Sequence, residues 1–310
     1  MAHGPVLVTG GSGFVGQALL TAFAEADVEV HATYWPDQPA TPLANTFWHR
    51  INLLEPGPVE ALMRELVPER LVHLAWYVEH GRFWSAPENL DWVAASLHLL
   101  RAFAASGGRR VVITGTCAEY DWSVGGPLSE STSPLAPATV YGAAKDGLRR
   151  VAAAFAHQEG VELAWARLFF MYGPGEAPRR LVPSVIRALI AGEPVLTTEG
   201  AQVRDFLHIK DVGRALAALL DSSVVGPVNI ASGKGIAMRE LLAVIGQATG
   251  RGDLIRRGAL PTPAGEPPSL VGDVRRLRGE VGLEPGIDLA TGISQTVSWW
   301  RERAGSAEAG

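Results

Sequence analysis

Two side chains able to exchange a proton stand four residues apart, Tyr141 and Lys145 in the segment YGAAK. The segment opens a predicted helix over 141–157, and on a helix this spacing places the phenol and the ammonium on one face, one turn apart. A lysine ammonium next to a phenol favours the phenolate and lowers the tyrosine pKa, so the pair suits proton transfer near neutral pH. The same spacing also occurs on ordinary helix surfaces, so the meaning of the pair depends on its surroundings.

A hydroxyl at the end of a neighbouring strand would complete such a site. The predicted strand over 109–114 is followed closely by a second threonine, so Thr114 and Thr116 both lie near its end. We favour Thr116 as the catalytic hydroxyl. The neighbouring Cys117 fits either a substrate contact or a small buried residue. Glu119 fits either a proton donor or a buried hydrogen-bonding group.

A glycine-rich segment, TGGSGFVG at 9–16, follows the first predicted strand and opens a predicted helix. It fits the dinucleotide-binding pattern in two registers, which share Gly13 and Gly16 and differ in using Gly10 or Gly11 first. Small residues here leave room for a tight turn and for a diphosphate, which backbone N–H groups and the helix N-terminus would hold. A glycine triplet alone is often only a turn, but its place in an alternating chain favours dinucleotide binding. The predicted contacts are Gly10, Gly13, Phe14, Val15 and Gly16.

Strands and helices alternate through the first half of the chain. Short apolar runs such as LVHLA at 71–75 are typical of strands buried on both faces. Their alternation with helical patterns predicts a parallel sheet covered on both faces. The predicted strands are 5–9, 28–33, 70–75, 109–114 and 161–168, and the predicted helices are 14–26, 58–66, 87–105 and 141–157.

The sequence pattern changes after Tyr172, where glycines and prolines interrupt the alternation of strands and helices. A helix over 181–191 and short strands at 194–197 and 227–230 indicate a smaller lobe. We therefore predict an α/β fold, a doubly wound parallel sheet (Rossmann) with a smaller, interleaved C-terminal substrate lobe. The predicted domains are 1–172 for dinucleotide binding, 173–303 mainly for the substrate lobe with some segments returning to the first domain, and 304–310 as a flexible tail.

The end of the second strand bears on the choice of cofactor, because an acid there would bind the ribose diol of NAD. Tyr34 occupies the position, and Asp37 comes three residues late. A site without the acid admits the 2′-phosphate of NADP, although no adjacent arginine is evident; His31 or backbone groups remain candidates. We predict NADP(H) in preference to NAD(H).

Composition excludes several classes of protein. The chain has 310 residues, a formal net charge of −5, a pI of about 5.9 and one cysteine. The acidic balance argues against nucleic-acid binding, and one cysteine permits no internal disulfide, which fits a cytoplasmic protein. No apolar run reaches the ~20 residues that span a membrane. The eight histidines show no metal-binding spacing, so no metal is expected.

Further motifs extend the pattern along nearly the whole chain: LVHLA at 71–75, YGPG at 172–175, RDF at 204–206, HIKD at 208–211 and NIASG at 229–233. With the glycine segment and YGAAK, they resemble the extended short-chain dehydrogenase/reductases of the NAD-dependent epimerase/dehydratase family, which act on nucleotide-diphosphate sugars. The resemblance supports Thr116, which lies four residues before Tyr120, and implies a homodimer with a four-helix interface. It implies cofactor contacts at Tyr34, Asn52, Leu53, Leu74, Ala75, Trp76, Thr114, Tyr141, Lys145 and Leu168.

Departures from the family pattern bear on the substrate. Dehydratases of the family carry Asp and Glu after the catalytic threonine, where this chain has Cys117 and Ala118. A usual substrate-binding Asn is replaced by Phe170. The resemblance implies that Arg204 grips the substrate diphosphate, with Asp205 holding it. Arg179 and Arg180 fit either the substrate loop or a solvated helix start, and the predicted substrate contacts are Cys117, Phe170, Arg179, Arg180 and Arg204.

These features predict an NAD(P)H-dependent reductase of a nucleotide-diphosphate-linked 4-keto-6-deoxysugar. The segment GTCAEYDW at 115–122 is similar to a subgroup of deoxysugar 4-ketoreductases. The nearest alternative is a nucleotide-sugar 4-epimerase that keeps NAD tightly bound and uses the same residues. A remote alternative is a non-catalytic NAD(P)-binding sensor.

Overall fold

The computed structural model describes residues 5–36 and 43–308, so Asp37 lies outside the described residues. The strands are β1 (Val6–Thr9), β2 (Val30–Tyr34), β3 (Thr46–Arg50), β4 (Arg70–His73), β5 (Arg110–Thr116), β6 (Glu162–Leu168), β7 (Phe170–Tyr172), β8 (Val195–Leu196), β9 (Val203–His208), β10 (Gly226–Ile230), β11 (Gly235–Ala237), β12 (Ile255–Arg256) and β13 (Ser269–Leu270). The helices are α1 (Phe14–Glu25), α2 (Pro56–Leu66), α3 (Glu88–Ala105), α4 (Val140–Glu159), α5 (Leu181–Ile190), α6 (Ile209–Asp221), α7 (Met238–Thr249), α8 (Arg275–Gly279) and α9 (Leu289–Glu308).

Seven parallel strands form the central sheet in the order β10-β6-β5-β4-β1-β2-β3, which confirms the predicted doubly wound fold. The central strands β1 and β5 are buried along their whole length, as continuous apolar runs require. The predicted boundaries missed β3. Its sequence, TFWHR, lies at the sheet edge with Phe47 exposed, and therefore lacks the apolar run that marks the inner strands.

Helices cover both faces of this sheet. On one face α1 packs against α6, and a Cβ on Gly213 of α6 would collide with the backbone of Ala18 in α1, so these two helices meet at close range. On the other face α2, α3 and α4 enclose a second apolar core that includes Phe103 and Trp165. The two cores pack on opposite faces of the sheet and hold its strands, and therefore the strand ends, in place.

The smaller lobe has its own core around α5, α7 and α9. Strands β11, β9 and β13 form its sheet, β7 pairs with β9, and β8 pairs with β12. Helix α6 and strand β10 return to the large domain, because β10 pairs with β6 at the sheet edge. Helix α9 continues through Glu308, so residues 304–308 of the predicted tail are helical.

The carboxyl ends of β1, β4, β5 and β6 lie at one edge of the sheet because these strands are parallel, and parallel α/β sheets bind ligands at that edge. Within 5–36 and 43–308, no helix is long and apolar enough to cross a membrane. The same residues contain no group of three or more His, Cys, Asp or Glu side chains arranged to hold a metal ion.

Candidate active site

The glycine segment forms a tight cradle between β1 and α1. Gly10 has a φ of +70°, and a Cβ on it would lie 2.9 Å from the backbone nitrogen of Ala75. A Cβ on Gly16 would overlap the carbonyl oxygen of Gly10, so neither glycine tolerates a side chain without backbone movement. Gly13 is the N-cap of α1, and no side chain caps this helix start. The cradle therefore offers the backbone donors and the helix N-terminus that a diphosphate needs.

The far end of the cradle lies at the carboxyl ends of β2 and β3. Tyr34 ends β2 and pairs in register with Arg50, the last residue of β3. The Arg50 guanidinium lies 5.6 Å from the ring centroid of the exposed Trp35. No arginine was predicted beside Tyr34, because the segment TFWHR lacks an apolar run and was not predicted to be a strand.

The other predicted cofactor contacts follow the strand ends. After β4, the backbone N–H of Leu74 donates to the carbonyl of Thr9 at 3.2 Å, and Ala75 lies against Gly10. After β3, Asn52 donates to Glu55 at 2.8 Å. The buried Leu53 follows Asn52, Leu168 ends β6 and Thr114 lies in β5. Their contact with a cofactor remains a prediction.

Thr116 ends β5 and caps a single 3₁₀ turn over Cys117–Glu119. Its hydroxyl accepts from the N–H of Ala118 at 3.2 Å, and its own N–H donates to Glu119 Oε1 at 2.8 Å, which completes a capping box. This reciprocal pairing holds the hydroxyl at the strand end.

Glu119 is fully buried, and both of its oxygens accept hydrogen bonds. Oε1 accepts from the indole N–H of Trp165 at 2.9 Å, and Oε2 accepts from Arg167 Nε at 2.7 Å. The sequence left its role open; this network assigns Glu119 to holding the turn that carries Thr116.

Lys145 lies in α4, whose start is capped by the Thr139 hydroxyl. The ammonium donates to the carbonyl of Thr114 at 2.8 Å, and its nitrogen lies 3.7 Å from the ring centroid of Trp76. The residue is only 3% exposed. Burial lowers the pKa of Lys145 to about 7, against the opposing effect of Glu119.

Tyr141 lies one turn before Lys145 and is half-buried. The rings of Phe83 and Trp84 meet its ring edge-on, at centroid distances of 5.0 and 5.7 Å. Burial raises the pKa of the phenol, and a hydrogen bond with Thr116 opposes that rise. The expected lowering of the tyrosine pKa is therefore wrong for this structure, because desolvation dominates and the ammonium is directed at Thr114 and Trp76.

Cys117 is buried beside Thr116, and burial together with Glu119 raises the pKa of its thiol to about 12. Arg204 is close enough to oppose that rise. The Arg204 guanidinium also lies 5.8 Å from the ring of Phe170. The structure thus brings three predicted substrate contacts, Cys117, Phe170 and Arg204, to one region.

The partners of Arg204 differ from those predicted. Its guanidinium donates to the carbonyl of Pro267 at 2.9 Å and forms a close ion pair with Glu266. The predicted partner, Asp205, is buried and instead accepts hydrogen bonds from Ser232 and from backbone N–H groups that include Gly272. The prediction that Asp205 holds Arg204 is wrong, because adjacent residues of a strand point to opposite faces.

The two predicted arginines of the loop after β7 have different surroundings. Arg179 is exposed, whereas the Arg180 guanidinium lies 5.3 Å from the ring of Phe83 and acts electrostatically on Tyr141. The loop also buries Glu176, whose Oε2 has no hydrogen-bond partner among the described residues. Burial raises the pKa of Glu176 to about 8, and Arg180 opposes this. The sequence carried no signal for this residue beyond its place after YGPG.

Comparison with known proteins agrees with this arrangement. A model of the NAD dependent epimerase/dehydratase family matches residues 6–231. The chain belongs to this family. It is therefore an enzyme of the extended short-chain dehydrogenase/reductase type, whose members modify nucleotide sugars.

Individual relatives carry out different reactions. A dTDP-glucose 4,6-dehydratase of Streptomyces griseus is 29% identical over 316 residues, 96% of this chain and 94% of the relative. A dTDP-4-dehydro-6-deoxy-D-allose reductase of Streptomyces bikiniensis is 26% identical over 328 residues, with 96% of each chain covered. Among solved structures, the UDP-glucose 4-epimerase of Thermus thermophilus in complex with NAD is 25% identical, with a TM-score of 0.84 over 96% of this chain and 99% of that one. The reaction must therefore be argued from the site.

Proposed function

We propose that this enzyme reduces a nucleotide-diphosphate-linked 4-keto-6-deoxysugar with NADPH or NADH. The observation that carries the proposal is the assembly of Thr116, Tyr141 and Lys145 without a carboxylate acid–base pair after the threonine. Ala118 has no ionisable group, and the Cys117 thiol stays protonated because burial raises its pKa to about 12. Elimination of water needs such a pair, whereas reduction of a ketone needs one proton donor.

The cofactor would lie along the cradle, with its diphosphate at Gly10, Gly13 and the start of α1. When bound, a reduced nicotinamide supplies the hydride for the ketone. Gly10 and Gly16 permit the tight turn between β1 and α1, and no side chain caps the start of α1, so its backbone N–H groups are available to a dinucleotide diphosphate. Arg204, which lies beside Phe170 and Cys117, supplies a cation for the substrate diphosphate.

Tyr141 would protonate the alkoxide that forms as the ketone is reduced. Its raised pKa keeps the phenol protonated at neutral pH, which is the form that a proton donor needs. Thr116 would donate a hydrogen bond to the same oxygen, and Lys145 would place a cation near it. An epimerase would use the same phenol first as a base and then as an acid, so the two reactions are distinguished by their products and by net consumption of the cofactor.

Two features support NADP(H) over NAD(H). Tyr34 stands where NAD-specific sites carry an acid, and Arg50 lies beside it in register. A guanidinium there suits a 2′-phosphate. We also propose a homodimer through α3 and α4, where Leu90 and Val151 are exposed apolar side chains.

The test is a panel of nucleotide-linked sugars and 4-keto sugars assayed with NADPH and NADH, with products identified by NMR. We expect NADPH consumption equal to the keto sugar supplied, and a loss of about 10²- to 10⁴-fold in kcat for Tyr141→Phe. The tryptophan fluorescence of this variant should still be quenched on titration with NADPH, which would show that its cofactor cradle is intact. Interconversion of 4-epimers without net cofactor use, or release of a dehydrated sugar, would overturn the proposal.

A further inference from the structure

Trp76 faces the ammonium of Lys145. The ring centroid lies 3.7 Å from Nζ, well inside the reach of about 6 Å for a cation–π contact, and both residues are buried. Among the titratable groups near this ammonium, Glu119 favours its charged form. His73 stays neutral, because burial and the Lys145 charge lower its own pKa to about 3. The ring face is therefore one of the few groups that stabilise the buried charge.

Asn89 holds the indole in that orientation. Its Oδ1 accepts from Trp76 Nε1 at 2.9 Å, and its Nδ2 donates to the carbonyls of Phe83 and Ala86, both at 2.8 Å. The residue is fully buried in the first turn of α3, and both ends of its amide are used. A buried amide with these bonds made has one stable orientation.

The segment 83–86, which Asn89 anchors, packs on the other catalytic side chain. Phe83 and Trp84 meet the Tyr141 ring edge-on, and the backbone N–H of Tyr141 donates to the carbonyl of Trp84 at 3.1 Å. Asn89 therefore connects to Lys145 through Trp76 and to Tyr141 through segment 83–86. Neither connection involves the strand that carries Thr116.

We propose that Asn89 and Trp76 are positioning residues that hold the Lys145 ammonium and the Tyr141 phenol in their working arrangement. The inference rests on the proposed function for the roles of Lys145 and Tyr141, but the contacts themselves do not depend on the substrate. Loss of the indole face leaves the ammonium less stabilised and favours neutral lysine. Loss of the Asn89 amide frees the indole and removes the side-chain donor from the Phe83 carbonyl, whereas the Ala86 carbonyl keeps the backbone N–H of residue 89 at 3.2 Å.

The test is a pH titration of the lysine side chains by NMR with ¹³C,¹⁵N-lysine, without substrate. The chain has only three lysines, 145, 210 and 234, so Lys210→Arg and Lys234→Arg assign the signals. We expect the pKa of Lys145 to fall by about one pH unit in Trp76→Leu. It should also fall in Asn89→Ala, and stay near the wild-type value in Trp76→Phe, which keeps an aromatic face. Asn45→Ala, which removes an exposed amide bonded to Asp27, is the matched control.

Activity measurements complete the test. We expect kcat of Asn89→Ala to fall about tenfold and the alkaline limb of its pH profile, where the Lys145 cation loses its proton, to move to lower pH with the Lys145 pKa. The KM for cofactor should change less than threefold. If Trp76→Leu and Asn89→Ala fold and leave both the Lys145 pKa and the pH profile unchanged, the inference is wrong. Should Trp76→Leu not fold, a fall in the Lys145 pKa in Trp76→Phe equal to that in Asn89→Ala would refute the role of the ring face. Because the titration uses no substrate, a failed substrate panel would count against the proposed function alone.

Discussion

Replacing Glu119 with glutamine tests whether this buried carboxylate stabilises the fold. The change keeps the size of the side chain and removes one charge. In the structure Glu119 Oε2 accepts from Arg167 Nε at 2.7 Å, while Oε1 accepts from Trp165 at 2.9 Å and from the N–H of Thr116 at 2.8 Å. An amide oxygen can replace Oε1, but the amide NH₂ then meets the N–H of Arg167, and two donors face each other.

The cost follows from the burial of Arg167, which is 1% exposed. Its guanidinium also donates to the Tyr120 hydroxyl at 3.0 Å, which is neutral and cannot balance the charge. Breaking a buried ion pair from one side costs about 3–5 kcal/mol, because it leaves an uncompensated charge. Arg149 Nε lies 3.9 Å from Glu119 Oε2 and loses part of its stabilisation too. We therefore expect Glu119→Gln to lower the free energy of unfolding by about 4 kcal/mol.

Urea denaturation of both forms, followed by far-UV circular dichroism, measures this difference. Glu162→Gln is the matched control, because Glu162 lies 4.0 Å from Arg110 but its side chain is 60% exposed. That pair should contribute less than about 0.5 kcal/mol. A loss below about 1 kcal/mol for Glu119→Gln, with an unchanged m value, would refute the structural role, and Glu119 would then be a candidate proton donor.

Two more predictions concern Glu176 and Arg50. Burial raises the pKa of Glu176 to about 8, so its contribution to stability is fully present below the usual carboxyl pKa of about 4.5 and is lost as the pH rises through about 8. The free energy of unfolding of Glu176→Gln, measured by urea denaturation, should therefore rise relative to that of wild type by on the order of 4 kcal/mol between pH 5 and pH 9. A difference that does not depend on pH would contradict the burial of that carboxyl. Arg50→Ala should weaken NADPH binding about tenfold and NADH binding less than twofold in fluorescence titrations, with the exposed Arg64→Ala as control. Equal effects on both cofactors would remove Arg50 from the 2′-phosphate site.

The parts of the fold that could be predicted are those with a local physical cause. Strands β1 and β5 are buried on both faces, and each contains a short apolar run, VLV in β1 and VVI in β5. Gly10 and Gly16 are needed because backbone atoms occupy the space of a side chain. Tyr141 and Lys145 share a helix, so their spacing alone places them on one face.

The parts that could not be predicted depend on contacts across the fold. Arg50 reaches Tyr34 only through the pairing of an edge strand that has no apolar run. The partner of Arg204 is Glu266, sixty-two residues away, whereas the adjacent Asp205 faces elsewhere. The direction of the Tyr141 pKa shift depends on how deeply Phe83 and Trp84 cover the ring, which helix spacing does not encode.

The buried ionisable groups of the site differ in how many of their polar atoms have hydrogen-bond or charge partners. Glu119 has donors on both oxygens and an arginine as counter-charge, and these contacts hold the turn under Thr116. The Lys145 ammonium has one carbonyl as hydrogen-bond acceptor and one aromatic ring face as a further contact. Burial lowers its pKa to about 7, so at neutral pH its charged and neutral forms are close in free energy. These contacts assign Glu119 to the stability of the turn. The proposed chemistry depends instead on Tyr141 and on Lys145, whose pKa lies near neutral pH.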